Sequence, residues 1–144
     1  MRSVFVFPAG ERDETVALLD GCLPRQGDQW CPDGNLYIEI DDEQTGHLFS
    51  DWEPEHVAIV EAAVGYHPAW AVSIDISGRI DGTAEVRQVV ALLLRRGGAA
   101  VDDYSAHAWM LQEIESGAVV DGLRFFDCLT YHKRKYGGPG DNTV

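Results

Sequence analysis

Between Gln26 and Gly78 the chain has no lysine and no arginine, a cation-free run of 53 residues. Without such charges this stretch offers nothing to a phosphate backbone or an anionic lipid surface, so direct nucleic-acid and membrane binding are not expected. Cysteine is also scarce. Cys22, Cys31 and Cys128 are odd in number and show no C-x-x-C spacing, which excludes a disulfide framework and a zinc knuckle. The expectation is reduced, largely buried thiols; a Cys22–Cys31 bridge is feasible on separation alone, but the absent export signal argues against it. Long apolar runs are missing too. Val4–Phe7 is cut off by Pro8, too short for a signal-peptide core or a membrane span, so the expected location is cytoplasmic.

Catalytic signatures are equally sparse. His47, His56, His67, His107 and His132 are too widely spaced for an H-x-x-x-H or H-E-x-x-H zinc site. There is no G-x-S-x-G elbow, and Gly78-Arg79-Ile80-Asp81-Gly82 lacks the lysine and spacing of a phosphate loop. No cofactor is expected.

What is present is acid and aromatic surface. The chain carries 24 Asp and Glu against 11 Lys and Arg, a formal charge of -13. Eleven of those carboxylates and three of the four tryptophans, Trp30, Trp52 and Trp70, fall inside the cation-free run. Solubility accounts for such a charge as well as a partner does. With 144 residues and 45% apolar content, one domain with one core is expected over residues 1–136, followed by a loose Gly/Pro/Asn tail over 137–144.

The pattern alternates strands and helices. Ser3–Phe7 reads as a strand stopped by Pro8-Ala9-Gly10, and a helix with Glu11, Asp13 and Glu14 in its first turn runs to about Asp20, closed by Gly21. Pro24–Asn35 reads as a loop, Leu36–Ile40 as a strand, and His47–Phe49 as a short one. Ser50 and Glu53 form a capping-box pattern opening a helix that ends at Val64-Gly65. Val72, Ile74 and Ile76 alternate as a strand with one buried face. Thr83 then caps a helix whose Val86, Val89, Val90, Leu93 and Leu94 make an apolar stripe ended by Gly97-Gly98. Ala99–Val101 is the next strand, which predicts a parallel strand-helix-strand crossover. A helix over Ser105–Ser116 with Trp109, Met110 and Ile114 inward, and a final strand over Leu123–Thr130 with Phe125 and Phe126 on opposite faces, complete the reading. The expected fold class is α/β (α+β): a single-domain sandwich, a mixed sheet of about four to six strands with helices mainly on one face. A ferredoxin-like arrangement is one topology that fits.

Two groups of residues stand out. Asp75, Asp102, Asp103 and His107 fall near the ends of the two crossover strands, where ligands of such sheets gather, and could hold Mg²⁺ or Mn²⁺ in a phosphoesterase. Equally, the aspartates could cap a turn while His107 packs beside Trp109. The second group is Glu39, Asp41, Asp42 and Glu43 at a strand end with Asp51, Trp52, Glu53 and Glu55 at a helix start. As one patch they would steer a basic protein toward a tryptophan anchor. Alternatively Trp52 tucks inward as a staple. A third arrangement, carboxylates spaced like phosphates, would make the chain a nucleic-acid mimic. An exposed edge strand or a patch around Trp30 and Trp70 would suit a homodimer.

The tract from Trp70 through Ile114, with Ile74-Asp75-Ile76, the Val/Leu-rich helix, Gly97-Gly98, Asp102-Asp103-Tyr104 and His107-Ala108-Trp109, resembles small acidic single-domain proteins of bacteria. Among these are immunity proteins of polymorphic toxin systems. The resemblance implies a stoichiometric inhibitor that occludes a basic toxin, often a nuclease, with no catalytic residues to carry over. The leading expectation is therefore an acidic cytoplasmic protein that neutralises a basic protein partner.

Overall fold

A computed structural model of the chain describes residues 2–137 apart from Asp33, Glu43 and His47. The tail expected over 137–144 falls outside the described residues except for Gly137. The first strand, β1, Arg2–Pro8, lies next to one edge of the sheet. Its Val-Phe-Val-Phe run is apolar on both faces, the composition of a strand covered on both sides. β5, Trp70–Ile76, lies antiparallel on one side of β1, with Val4 opposite Ile74, and β6, Gly98–Asp102, lies antiparallel on the other, with Val6 opposite Ala100. β4, Leu36–Asp42, pairs beyond β5. A hairpin of β2, Arg25–Gln26, and β3, Gln29–Trp30, extends the sheet past β4. The spatial order is β2-β3-β4-β5-β1-β6.

Every neighbouring pair is antiparallel, so the sheet is not mixed as expected. β5 and β6 do run in the same direction, because each is antiparallel to β1, but β1 stands between them. The crossover is thus split. The reason lies in β1, whose two apolar faces suit a strand flanked on both sides, with α3, Thr83–Leu93, packed over it. The same holds for β1 and β4, which are joined through α1, Arg12–Cys22, and separated by β5. Two interleaved split β-α-β units in the order β4-β5-β1-β6 form the ferredoxin-like arrangement. The β2-β3 hairpin and α2, Pro54–Val64, are additions to it.

On one face of the sheet, Val4, Val6, Val72, Ile74, Ile76, Leu36 and Ile38 meet Leu19 of α1 and Val86, Val89, Val90 and Leu93 of α3. The apolar stripe predicted on α3 is the one that is buried. Ile114 from α4, Leu111–Ser116, and Cys128 from α5, Cys128–His132, close the same layer. The other face has a smaller cover. Val60 of α2 packs on Phe7 and Ala71, with Leu48, Phe49 and Trp52 around them. Four of the five α-helices among the described residues therefore share one face. No helix among the described residues is long and apolar enough to cross a membrane.

Local departures from the sequence reading have local causes. The helix predicted over Ser105–Ser116 begins only at Leu111, because Trp109 is held extended by exchanging backbone hydrogen bonds with Ala100 at 2.7 and 2.8 Å. This covers the outer edge of β6, which would otherwise be open to pairing. Trp109 and Ile114 are buried as expected, whereas Met110 is exposed. Leu123–Thr130 is no strand. Phe126 adopts a left-handed backbone (φ 54°), so Phe125 and Phe126 both enter the main core instead of opposite faces, and α5 follows.

Ser50 does not cap α2, whose N-cap is Glu53 with Pro54 first in the helix. Gly82, not Thr83, occupies the cap position of α3. Phe49 lies in a turn, and the rest of the strand expected at His47–Phe49 includes His47, which is outside the described residues. The Pro24–Asn35 loop contains the β2-β3 hairpin, and Trp30 is buried with its indole N–H donated to Asp20 at 2.9 Å. Trp30 therefore cannot form the homodimer patch considered above. The three cysteines are free thiols: Cys128 is buried, Cys31 half-buried, and Cys22 exposed, contrary to expectation for that residue.

Gly97-Gly98 does more than terminate α3. Gly98 has φ 109°, and a Cβ there would stand 2.2 Å from the Phe7 carbonyl oxygen, so only glycine lets β6 approach β1 at this point.

Candidate functional site

Successive residues of a strand point to opposite faces, and the end of β6 shows the consequence. Asp102 turns toward the main core. Its Oδ1 accepts the Tyr104 and Ser105 amides at 3.0 Å, and its Oδ2 accepts the Phe126 amide at 2.6 Å. Burial pushes its carboxyl above the ordinary range against the pull of these three amides. Asp103 turns to the opposite side, where its Oδ2 accepts the Ser3 backbone N–H at 2.7 Å. Asp75 accepts the Ser3 hydroxyl at 2.6 Å, so Asp103 and Asp75 flank the same serine. Partial desolvation against the strand raises the Asp103 carboxyl, and the nearby Asp75 charge raises it further.

His107 belongs to neither place. Its Nε2 lies 3.0 Å from both Glu113 oxygens, and its ring meets Trp109 edge to face. Asp75, Asp102, Asp103 and His107 therefore do not converge, and among the described residues no group of three or more His, Cys, Asp and Glu could hold a metal ion. The expected cluster is replaced by two structural devices, an Asp102 turn lock and a His107–Glu113 pair.

The segment before α2 builds the other half of the site. Phe49 (φ 57°) and Asp51 (φ 63°) both take left-handed backbone conformations. Aspartate tolerates this readily; for Phe49, stacking on Phe7 at 5.7 Å and 14° holds it in place. The resulting turn swings Trp52 back onto the sheet. Its indole meets Phe5 at 5.3 Å, Phe7 at 6.1 Å and Phe49 at 5.1 Å, in each case steeply inclined. Trp52 is consequently half-buried, acting as a staple while leaving part of its surface open.

That open part forms the wall of a cleft of about 480 Å³ between residues 51–56 and the end of β6. Phe5, Trp52 and Val101 supply its apolar surface, and Tyr131 closes one side. Asp51, Glu53 and Asp103 bring carboxylates to it, with the buried Asp102 also at its wall, and among the described residues His56 is its one imidazole and no lysine or arginine lines it. Tyr104 also borders the cleft, its phenol pushed up to about 12 by burial and the nearby Cys128 and Asp103, with Arg2 opposing. An acid-rimmed aromatic recess of this kind offers complementary charge and an apolar wall to cations that carry an apolar body.

The proposed partner surface is thereby divided. Asp51, Trp52 and Glu53 line the cleft, while Glu55 is exposed on the first turn of α2. Asp41 is only 4% exposed, on the strand position opposite Ala71, and offers no contact surface. Glu39 is half-buried beside the Gln29 amide at 3.4 Å. Asp42 lies by a different recess with Trp70 and Arg12, whose guanidinium is 3.9 Å away. Glu43 is outside the described residues. Asp103, read from sequence as part of a metal cluster, instead joins Asp51 and Glu53. The alternation of β6 carries the signal for it: Val101 and Asp103 share a face with Phe5, which lies opposite Val101.

The fold and cleft define a single-domain α+β protein with a ferredoxin-like sheet and an acidic, aromatic recess on its less covered face. Comparison of the chain with protein-family models, with curated proteins and with solved structures gives no match.

Proposed function

We propose that this protein binds a basic protein partner through the cleft around Trp52. The observation that supports the reading is the gathering of Asp51, Glu53 and Asp103 around a half-buried tryptophan, in a recess that no lysine or arginine lines among the described residues. Aromatic anchors ringed by charge carry much of the energy and the encounter rate of polar interfaces. The overall charge of -13 adds long-range attraction for a cationic surface. In its narrower form the partner is a basic toxin, and the chain is its stoichiometric cytoplasmic inhibitor, in line with the resemblance of Trp70–Ile114 to immunity proteins.

The test is capture of a partner from source lysate at low salt, followed by titration of the purified pair. The reading expects a stoichiometric complex with a basic protein, weakened by salt and by Trp52→Ala or Asp51→Asn, and indifferent to Asp42→Asn at the separate recess. Recovery of no partner, or of one unaffected by the two cleft substitutions, defeats it.

A further inference from the structure

We infer that the cleft is the seat of an arginine side chain presented by the partner, in preference to lysine. This rests on the basic-partner reading and narrows it to one recognition group. The aromatic wall is the first reason. Phe5, Phe7 and Phe49 all meet the Trp52 indole at interplanar angles of 71–81°, so none of the three lies parallel over it. Trp52 lines the recess and is only half-buried, so part of its indole surface is open to a flat, delocalised cation. The second reason is charge. Asp51, Glu53 and Asp103 line the same recess, and among the described residues none of the ion pairs made by lysine, arginine or histidine includes them.

A guanidinium stacked on the indole keeps its N–H groups in its own plane, parallel to the ring, and directed outward toward carboxylates at the rim. An ammonium is a compact, strongly hydrated point charge that gains less from the flat wall and loses more water on entering. Volume agrees: about 480 Å³ accommodates the long arginine stem and head together with adjoining chain, and the mouth is open to the surface.

The experiment titrates the protein with a glycine-flanked peptide holding two arginines and with its lysine counterpart, following backbone amides and the Trp52 indole N–H by NMR. The arginine peptide should bind about tenfold more tightly and shift the Trp52 indole together with the Asp51 and Asp103 amides. Trp52→Ala should abolish the preference. Asp103→Asn, which retains an oxygen to accept the Ser3 amide, should weaken binding without loss of fold. Equal affinity for the two peptides, shifts centred away from Trp52, or no shift in the millimolar range overturns the arginine seat.

The two readings fail separately. A basic partner captured in a Trp52-dependent manner, with no arginine preference, removes the seat alone. A selective arginine response with no captured partner leaves the seat standing and removes the partner reading.

Discussion

Asp102 and Phe126, 24 residues apart, are joined by a hydrogen bond of 2.6 Å from the Phe126 amide to the Asp102 carboxylate. It ties the end of β6 to the turn that delivers Phe125 and Phe126 to the core, and Phe126 holds the left-handed conformation that this turn requires. Asp102→Asn presents an amide N–H₂ where one of the accepting oxygens stood. It should lower unfolding stability by about 1–3 kcal/mol, measured by urea denaturation. An unchanged midpoint would show that the lock contributes nothing.

Two glycines should respond in opposite directions. Gly98→Ala would drive a Cβ against the Phe7 carbonyl at a positive φ, and should cost about 2–4 kcal/mol. Gly21 lies in the last turn of α1 with nothing within 4 Å of its prospective Cβ and no positive φ. Gly21→Ala should stabilise by about 0.5–1 kcal/mol. Thermal melts of the two variants against the parent check both signs.

The His107–Glu113 pair should be visible in a carboxyl titration. Burial raises the Glu113 pKa, but the Met110 amide and His107 outweigh it and hold the carboxyl below its ordinary range. A depressed pKa adds stability above the unfolded value that is lost as pH falls through the folded one. His107→Ala should therefore move the Glu113 titration upward and shrink the acid-side loss of stability attributable to this group. NMR of the Glu113 carboxyl reads the shift, and an unmoved titration would count against the pairing.

Asp103 behaves in the opposite sense. Its folded carboxyl binds a proton more readily than the unfolded one, so this group contributes stability below the ordinary aspartate pKa that is lost as pH rises through the raised folded value. Asp103→Asn should remove that contribution. The difference between the stability profiles of parent and variant should change only between those two values and be flat above them. A difference that varies around neutrality would contradict the assignment. Over the same acid window the cleft loses the Asp103 charge, so cationic peptides should dissociate from the parent at higher pH than an ordinary aspartate would dictate.

What the sequence determined by itself was local and periodic. The alternation of Val72, Ile74 and Ile76, the stripe from Val86 to Leu94, and the Val- and Phe-dense Ser3–Phe7 marked β5, α3 and β1, because burial follows side-chain period. Trp52 among acids was legible too. What the tertiary structure decided was which of these meet. The insertion of β1 between β5 and β6 depends on pairing between segments about 70 and 100 positions apart in register, and no local pattern encodes it. That insertion sends Asp102 inward and brings Asp103 beside Phe5 on the face where the left-handed turn at Phe49 and Asp51 folds Trp52 back. Asp41 and Asp42, neighbours of equal charge, were separated by the same rule, one against the sheet and one beside Arg12. Sequence supplied the acid and the tryptophan; the pleat of β6 and the order of the strands selected which carboxylates surround it.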